Sequence, residues 1–271
     1  MKARGTNMIV GFRIKMPSND YMESEKFINY YSTLFRNCEI KVTKEFNSKE
    51  YTIKILNLTR ELFDNFVSFH LSKNILTGDN EIKTSDKILI STLEDLNIKT
   101  LLITHFPVCL QLNSINLYVR RANSLLKKTS STILFENCTC EDYKTYLSSF
   151  DIFIEKLKSN NLKDFGTCID FGHLFYCFNK CNISQSSAIM YLEKFSNIID
   201  SVKEIHIHDF NNQKDHLTIG NGMIGLELIH YFLAKNNINC PIIIETNVNI
   251  PEEDGLNQVM ACKRKLVDTN E

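Results

Sequence analysis

The chain has 271 residues, within reach of one large domain, and its formal charge of -1 with 43% hydrophobic residues fits a globule able to bury a sizeable core. It offers no broad basic surface for nucleic acid, no apolar run near the roughly 20 residues that cross a bilayer, and no secretory h-region in MKARGTNMIV at residues 1–10. Its nine cysteines, an odd number without a secretory leader, are read as reduced thiols of a cytoplasmic protein, and Cys138-Thr-Cys140 and Cys177-x3-Cys181 lack the C-x2-C knuckles of a structural zinc site.

Taken in order, Met8 to Ile14 is a strand, and Tyr21 to Phe35 places Phe27, Tyr30, Tyr31, Leu34 and Phe35 at helical spacing. Cys38 to Val42 is the second strand, and Ser48 is the N-cap of a helix reaching Phe63. Phe66 to His70 follows as a strand, then a polar loop from Ser72 to Thr84 and a helix over Ser85 to Leu96. Thr100 to Thr104 is the fourth strand, and it ends at His105-Phe106-Pro107, where proline forbids simple continuation.

The second half repeats the plan. Thr132 to Phe135 runs into Glu136-Asn137, and the next helix carries Tyr143, Tyr146, Leu147, Phe150, Phe153, Ile154 and Leu157 as an apolar stripe. Phe165 to Ile169 is an apolar run suited to a parallel strand covered on both faces, closed by Asp170-Phe171-Gly172-His173 with Gly172 as a sharp turn. A helix over Ser184 to Ile199, a strand over Val202 to Ile207, a helix over Gly222 to Lys235, a strand over Pro241 to Ile244 and a helix over Asp254 to Leu266 complete the pattern. Eight strand and helix alternations predict an α/β fold of the (β/α)8 class, a single TIM barrel domain spanning residues 1–271.

In such a barrel the ends of the strands converge on one face. Strands three to eight end in His70, His105, Glu136, Asp170, His206 and Glu245, a set of imidazoles and carboxylates suited to Zn, Mn, Co, Mg or Fe(II) without thiolates. Each alone reads as a solvated or helix-capping group; six at one focus predict a metal site. His206-Ile-His208 places two histidines on one side of a strand, and His216 follows, before Gly220-Asn-Gly222, whose glycines are a turn or, on weaker grounds, a phosphate cradle.

Glu136-Asn137, G-T-C-I-D-F-G-H at 166–173, I-H-I-H-D at 205–209, D-H-L-T-I-G-N-G at 215–222 and I-I-I-E-T ending at Thr246 together resemble the xylose isomerase-like barrels, most strongly over residues 131–246. That superfamily contains sugar phosphate isomerases and epimerases and the endonuclease IV type of apurinic-site nuclease. The isomerase branch implies one divalent metal on Glu136, Asp170, His206 and Glu245. The nuclease branch implies one zinc on His70, His105 and Glu136, a second that adds Asp170, His206 and Glu245, and a third at His173 and His216.

Three departures from the nuclease pattern favour the first branch. Lys214 stands where that pattern has an aspartate, the DNA-wedging aromatic is missing after His70, and Cys138-Thr-Cys-Glu-Asp replaces a glycine-rich loop. The leading expectation is therefore a metal-dependent isomerase or epimerase acting on a small carbohydrate or sugar phosphate. Glu136 and Glu245 serve as base and acid, aided by His173, while His208, His216, His70 and His105 contact substrate. The alternatives are a zinc phosphodiesterase acting on abasic DNA, which alone brings in nucleic acid, and a non-catalytic ligand-binding barrel. One to three divalent ions, no membrane contact and a possible homo-oligomer complete the expectations.

Overall fold

The computed structural model describes residues 9–63, 66–72, 75–76, 82–108, 112–246 and 264. Strands β1 (Val10–Lys15), β2 (Asn37–Lys41), β3 (Phe66–His70), β4 (Leu101–His105), β5 (Thr132–Glu136), β6 (Phe165–Asp170), β7 (Val202–Ile207) and β8 (Ile242–Ile244) form a closed parallel barrel in sequence order. Closure is made by β1, which pairs with β2 through Phe12 opposite Cys38 and with β8 through Val10 opposite Ile242. The predicted (β/α)8 barrel is the observed fold. No helix among the described residues is long and apolar enough to cross a membrane.

Between the strands run α1 (Tyr21–Ser32), α2 (Lys49–Leu62), α3 (Thr84–Asp95), α4 (Leu112–Leu126), α5 (Tyr143–Ser159), α6 (Phe171–Lys180), α7 (Gln185–Leu192), α8 (Ser196–Ile199) and α9 (Leu226–Lys235). Ser48 caps α2 as its sequence predicts, accepting the Tyr51 amide at 3.2 Å. The main core lies between barrel and helices: Phe12 stacks on Tyr31 and Phe35, and Phe106 lies between Phe150 and Phe153.

The helices differ from expectation in three places. Helix α4 was not predicted, although Ile115, Tyr118, Val119, Ala122 and Leu125 are buried at helical spacing. The helix after β6 begins at once, since the Asp170 carboxylate accepts the His173 amide at 2.9 Å and caps α6; the expected Ser184–Ile199 helix is divided into α7 and α8. Helix α9 starts at Leu226 because Asp209 gathers the backbone ahead of it, accepting the amides of Phe210, Gly220, Gly222 and Ile224 at 2.8–2.9 Å. The two glycines thus serve a buried carboxylate. A Cβ at Gly222 would collide with the Phe210 carbonyl oxygen and the Asp209 carboxylate. The expected helix over Asp254 to Leu266 lies outside the described residues, apart from Arg264.

Candidate metal centre

Alternation along each strand sends one set of side chains to the helices and the other into the barrel. At the carboxyl-terminal rim the inward set is His70, His105, Glu136, Asp170, His206 and Glu245, each at most 5% exposed. The six predicted strand-end residues therefore converge. His105 pairs in register with Glu136, and Asp170 with His206.

Glu136 is the centre of this arrangement. Its Oε2 lies 2.8 Å from His70 Nε2 and 2.9 Å from His105 Nε2, while its Oε1 lies 2.7 Å from His206 Nδ1. One carboxylate thus faces two donor groups, His70/His105 on one side and Asp170/His206/Glu245 on the other. Burial alone would raise the Glu136 pKa, but His206, His105 and His70 outweigh it and hold the carboxyl well below its ordinary range. His70 is pushed down to about 4 by burial and by Arg13, so it is neutral, with a lone pair free for a cation, near pH 7.

A third group forms beside the second. His173, His208, Asp215 and His216 place ligand atoms within 4.8 Å of one another. Asp215 Oδ2 is 3.4 Å from His173 Nδ1 and its Oδ1 is 3.1 Å from His216 Nδ1. His208 lies against His216 with ring centroids 4.1 Å apart, takes the His216 amide at Nδ1 and turns Nε2 to Asp170 at 3.2 Å. His216 itself has φ 56°, a left-handed conformation that swings Asp215 and His216 to the same point. Lys214 therefore does not leave this group without a carboxylate, as the sequence suggested: its neighbour Asp215 supplies one.

Gly172 is helical, where the sequence suggested a sharp turn, and its lack of a side chain lets the His208 ring approach. A Cβ there would overlap the His208 ring atoms. Gly172→Ala is expected to displace His208 and cost about 1–3 kcal/mol, read as a lower thermal midpoint. An unchanged midpoint would contradict this packing.

Sequence reasoning missed the contribution of the first two strands. Arg13 of β1 and Glu39 of β2 point into the barrel; Arg13 pairs with both Glu39 and Glu245 and lies 3.1 Å from His206 Nδ1. Glu204, two residues before His206 and on the same face, is likewise 0% exposed. Burial pushes it up to about 7 against the opposing effect of His206. Glu39, Glu136, Asp170, Glu204 and Glu245 are all buried, and among the described residues the one buried arginine beside them is Arg13. His206 is held above its ordinary range by Cys168, Glu39 and Glu136 against the effect of burial. Even with Arg13 and His206 cationic, the carboxylates of Glu39, Glu136, Asp170 and Glu245 outnumber them, and uncompensated charge is costly to bury. Asp170 Oδ2 and Glu245 Oε2 are buried with no hydrogen-bond partner among the described residues. Nitrogen and oxygen donors of this kind, carrying this charge, fit divalent cations.

Comparison with known proteins agrees with this architecture. Residues 93–266 match the profile of the xylose isomerase-like TIM barrel, and the chain belongs to that family. Among solved structures it is similar to a D-tagatose 3-epimerase-like protein (18% identity, TM-score 0.69, covering 97% of this chain and 99% of that one). It is also similar to 3-keto-D-glucoside 4-epimerase from E. coli (14%, 0.66, 95% and 99%) and to endonuclease IV from Thermus thermophilus (13%, 0.63, 96% and 99%). No curated protein sequence matches significantly.

Proposed function

We propose that this protein is a multi-cation phosphodiesterase of the endonuclease IV type, with DNA carrying an abasic site as its substrate. The observation that carries the reading is the two-sided use of Glu136, whose Oε2 meets His70 and His105 while its Oε1 meets His206. A single-ion sugar site uses Glu136, Asp170, His206 and Glu245 for its ion and gives His70 and His105 to the substrate, yet both are buried and aimed at one oxygen of Glu136, itself a ligand of that ion. Asp215 supports the same conclusion by restoring a carboxylate to the His173/His216 group. This reverses the order of the two branches that the sequence favoured.

His70, His105 and Glu136 would hold one cation, and Glu136, Asp170, His206 and Glu245 a second; His173, Asp215 and His216, with His208 beside them, would hold a third. Bound there, divalent cations supply charge neutralisation for a phosphodiester and a lowered pKa for an attacking water. The chain's own groups do the rest. Glu245 reaches His216 through Oε1 at 3.1 Å and keeps Oε2, free of a hydrogen bond among the described residues, for the second cation group. Asp170, by capping α6 and turning toward both His173 and His208, holds the second and third groups in fixed relation.

Metal-loaded protein should nick a duplex with one abasic site, leave an intact duplex alone, and lose the activity in chelator. A second reading, the sugar isomerase or epimerase, draws on the Glu136/Asp170/His206/Glu245 group, which is complete for one ion. It predicts deuterium incorporation from heavy water into one carbon of a ketose, an aldose or a phosphate of either. Such incorporation without incision would replace the first reading by the second.

A further inference from the structure

Below the rim the barrel interior is divided in two. On β4, β5 and β6 it is apolar, with Ile103, Leu134 and Cys168 forming a small buried cluster. On β1, β2, β3 and β7 it is charged or polar, with Arg13, Glu39, Ser68 and Glu204 all buried. Layers of a barrel interior are ordinarily filled by branched apolar side chains, so charge at this depth calls for a reason. Glu39 and Glu204 lie at Nε2 of His206, and Arg13 runs from Glu39 to Glu245 at the rim.

His206 has carboxylate oxygens at both ring nitrogens. Nδ1 is 2.7 Å from Glu136 Oε1; Nε2 is 2.9 Å from Glu204 Oε1 and 3.1 Å from Glu39 Oε2. A cation at the rim needs the Nδ1 lone pair, so the one proton the ring then keeps must sit on Nε2. With the proton on Nδ1, it is donated to Glu136, and the lone pair needed at the rim is lost. With the proton on Nε2, the lone pair of Nδ1 faces Glu136, Glu245 and the Arg13 guanidinium, whose Nη2 lies 3.1 Å away and favours the same tautomer. Glu39 already has a strong partner in Arg13, which donates to its Oε1. Among the described residues Glu204 has only the distant Ser68 hydroxyl, at 3.4 Å, besides His206.

We propose that Glu204 is a positioning residue: it accepts the Nε2 proton of His206, selects the tautomer that turns Nδ1 to the rim, and so sets cation affinity at the Asp170/His206/Glu245 group. Arg13 holds Glu39 through Oε1, while Glu39 Oε2 stands 3.1 Å from Nε2, farther than Glu204 Oε1 at 2.9 Å. The inference rests on the reading of the rim as a cation centre and adds to it a residue one layer below, which touches neither cation nor substrate. Partners of this kind orient ligating histidines, and losing one typically weakens metal binding about 10- to 100-fold.

The test is a titration of metal-free protein with Co2+, followed by its visible absorption, for wild type, Glu204→Gln, Glu204→Met and Glu39→Gln, with folding checked by circular dichroism. Glu204→Met should weaken one Co2+ site about 10- to 100-fold and leave the His70/His105 site within about twofold. Glu204→Gln, which keeps an acceptor oxygen without charge, should fall between, and Glu39→Gln should have the smaller effect. Repeating Glu204→Met in a His206→Gln background separates positioning from general support of the barrel, because the positioning role predicts no further loss there. Equal loss in both backgrounds, no loss in either, or equal weakening of every site would overturn the proposal. Wild type that binds no Co2+ would overturn this inference and the cation reading together. Wild type that binds Co2+ and incises DNA, with Glu204→Met unchanged, would overturn this inference alone.

Discussion

Glu136→Gln should abolish turnover while the barrel still folds. Glutamine has the same size but carries no charge and offers a single acceptor oxygen, so it cannot serve His70/His105 and His206 together as the two carboxylate oxygens do. Loss of cations from both groups is expected, with incision down by about 10³-fold or more, the equivalent of the several kcal/mol of charge stabilisation a catalytic cation supplies. Metal analysis and a rate on the same sample check this. Full metal content and full activity would show that Glu136 is not shared.

Asp170→Asn should produce a similar loss with even less structural damage. Asparagine caps a helix as well as aspartate does, so α6 keeps its start at Phe171 and the His173 amide keeps an acceptor. What disappears is the negative charge facing His208 at 3.2 Å and His173 at 3.5 Å. The native carboxyl is held below its ordinary range because those two imidazoles outweigh burial, and asparagine reproduces none of that attraction. Metal affinity should fall by at least about 10²-fold, above the usual effect of an indirect partner, and incision should fall with it. A thermal midpoint of the metal-free protein close to wild type would show that the loss is chemical. Undiminished metal affinity would remove Asp170 from the centre.

Much of this site was legible from the chain because its residues obey a simple geometric rule. An apolar run such as Ile133 to Phe135 or Thr167 to Ile169 identifies a barrel strand, and the first polar residue after it marks the rim; Glu136 and Asp170 follow directly. Arg13 and Glu39 obey a different rule. Their strands, VGFRIK and NCEIK, alternate apolar and polar residues, as an exposed sheet would. In a barrel covered by helices the same alternation signals a charged interior, and that signal was available to be read. Glu204 was also readable, by counting back two residues from His206. Helix α4 was readable as well, since Ile115, Tyr118, Val119, Ala122 and Leu125 keep helical spacing.

The Asp215 contact was not legible. Nothing in K-D-H indicates that His216 adopts a left-handed backbone, and without that turn the shift from Lys214 to Asp215 reads as a lost ligand. The role of Gly172 was hidden for a related reason. Its neighbour His208 lies just past the end of the following strand, so the close approach that requires glycine exists only in the folded barrel.

The most direct test of the multi-cation centre is the number of divalent ions bound per chain, measured by elemental analysis of protein purified without chelator and located by anomalous scattering in a crystal. The arrangement around Glu136 predicts two or three ions, one of them between His70, His105 and Glu136 and another between Glu136, Asp170, His206 and Glu245. A single ion at the second group, with His70 and His105 bonded only to Glu136, would contradict it.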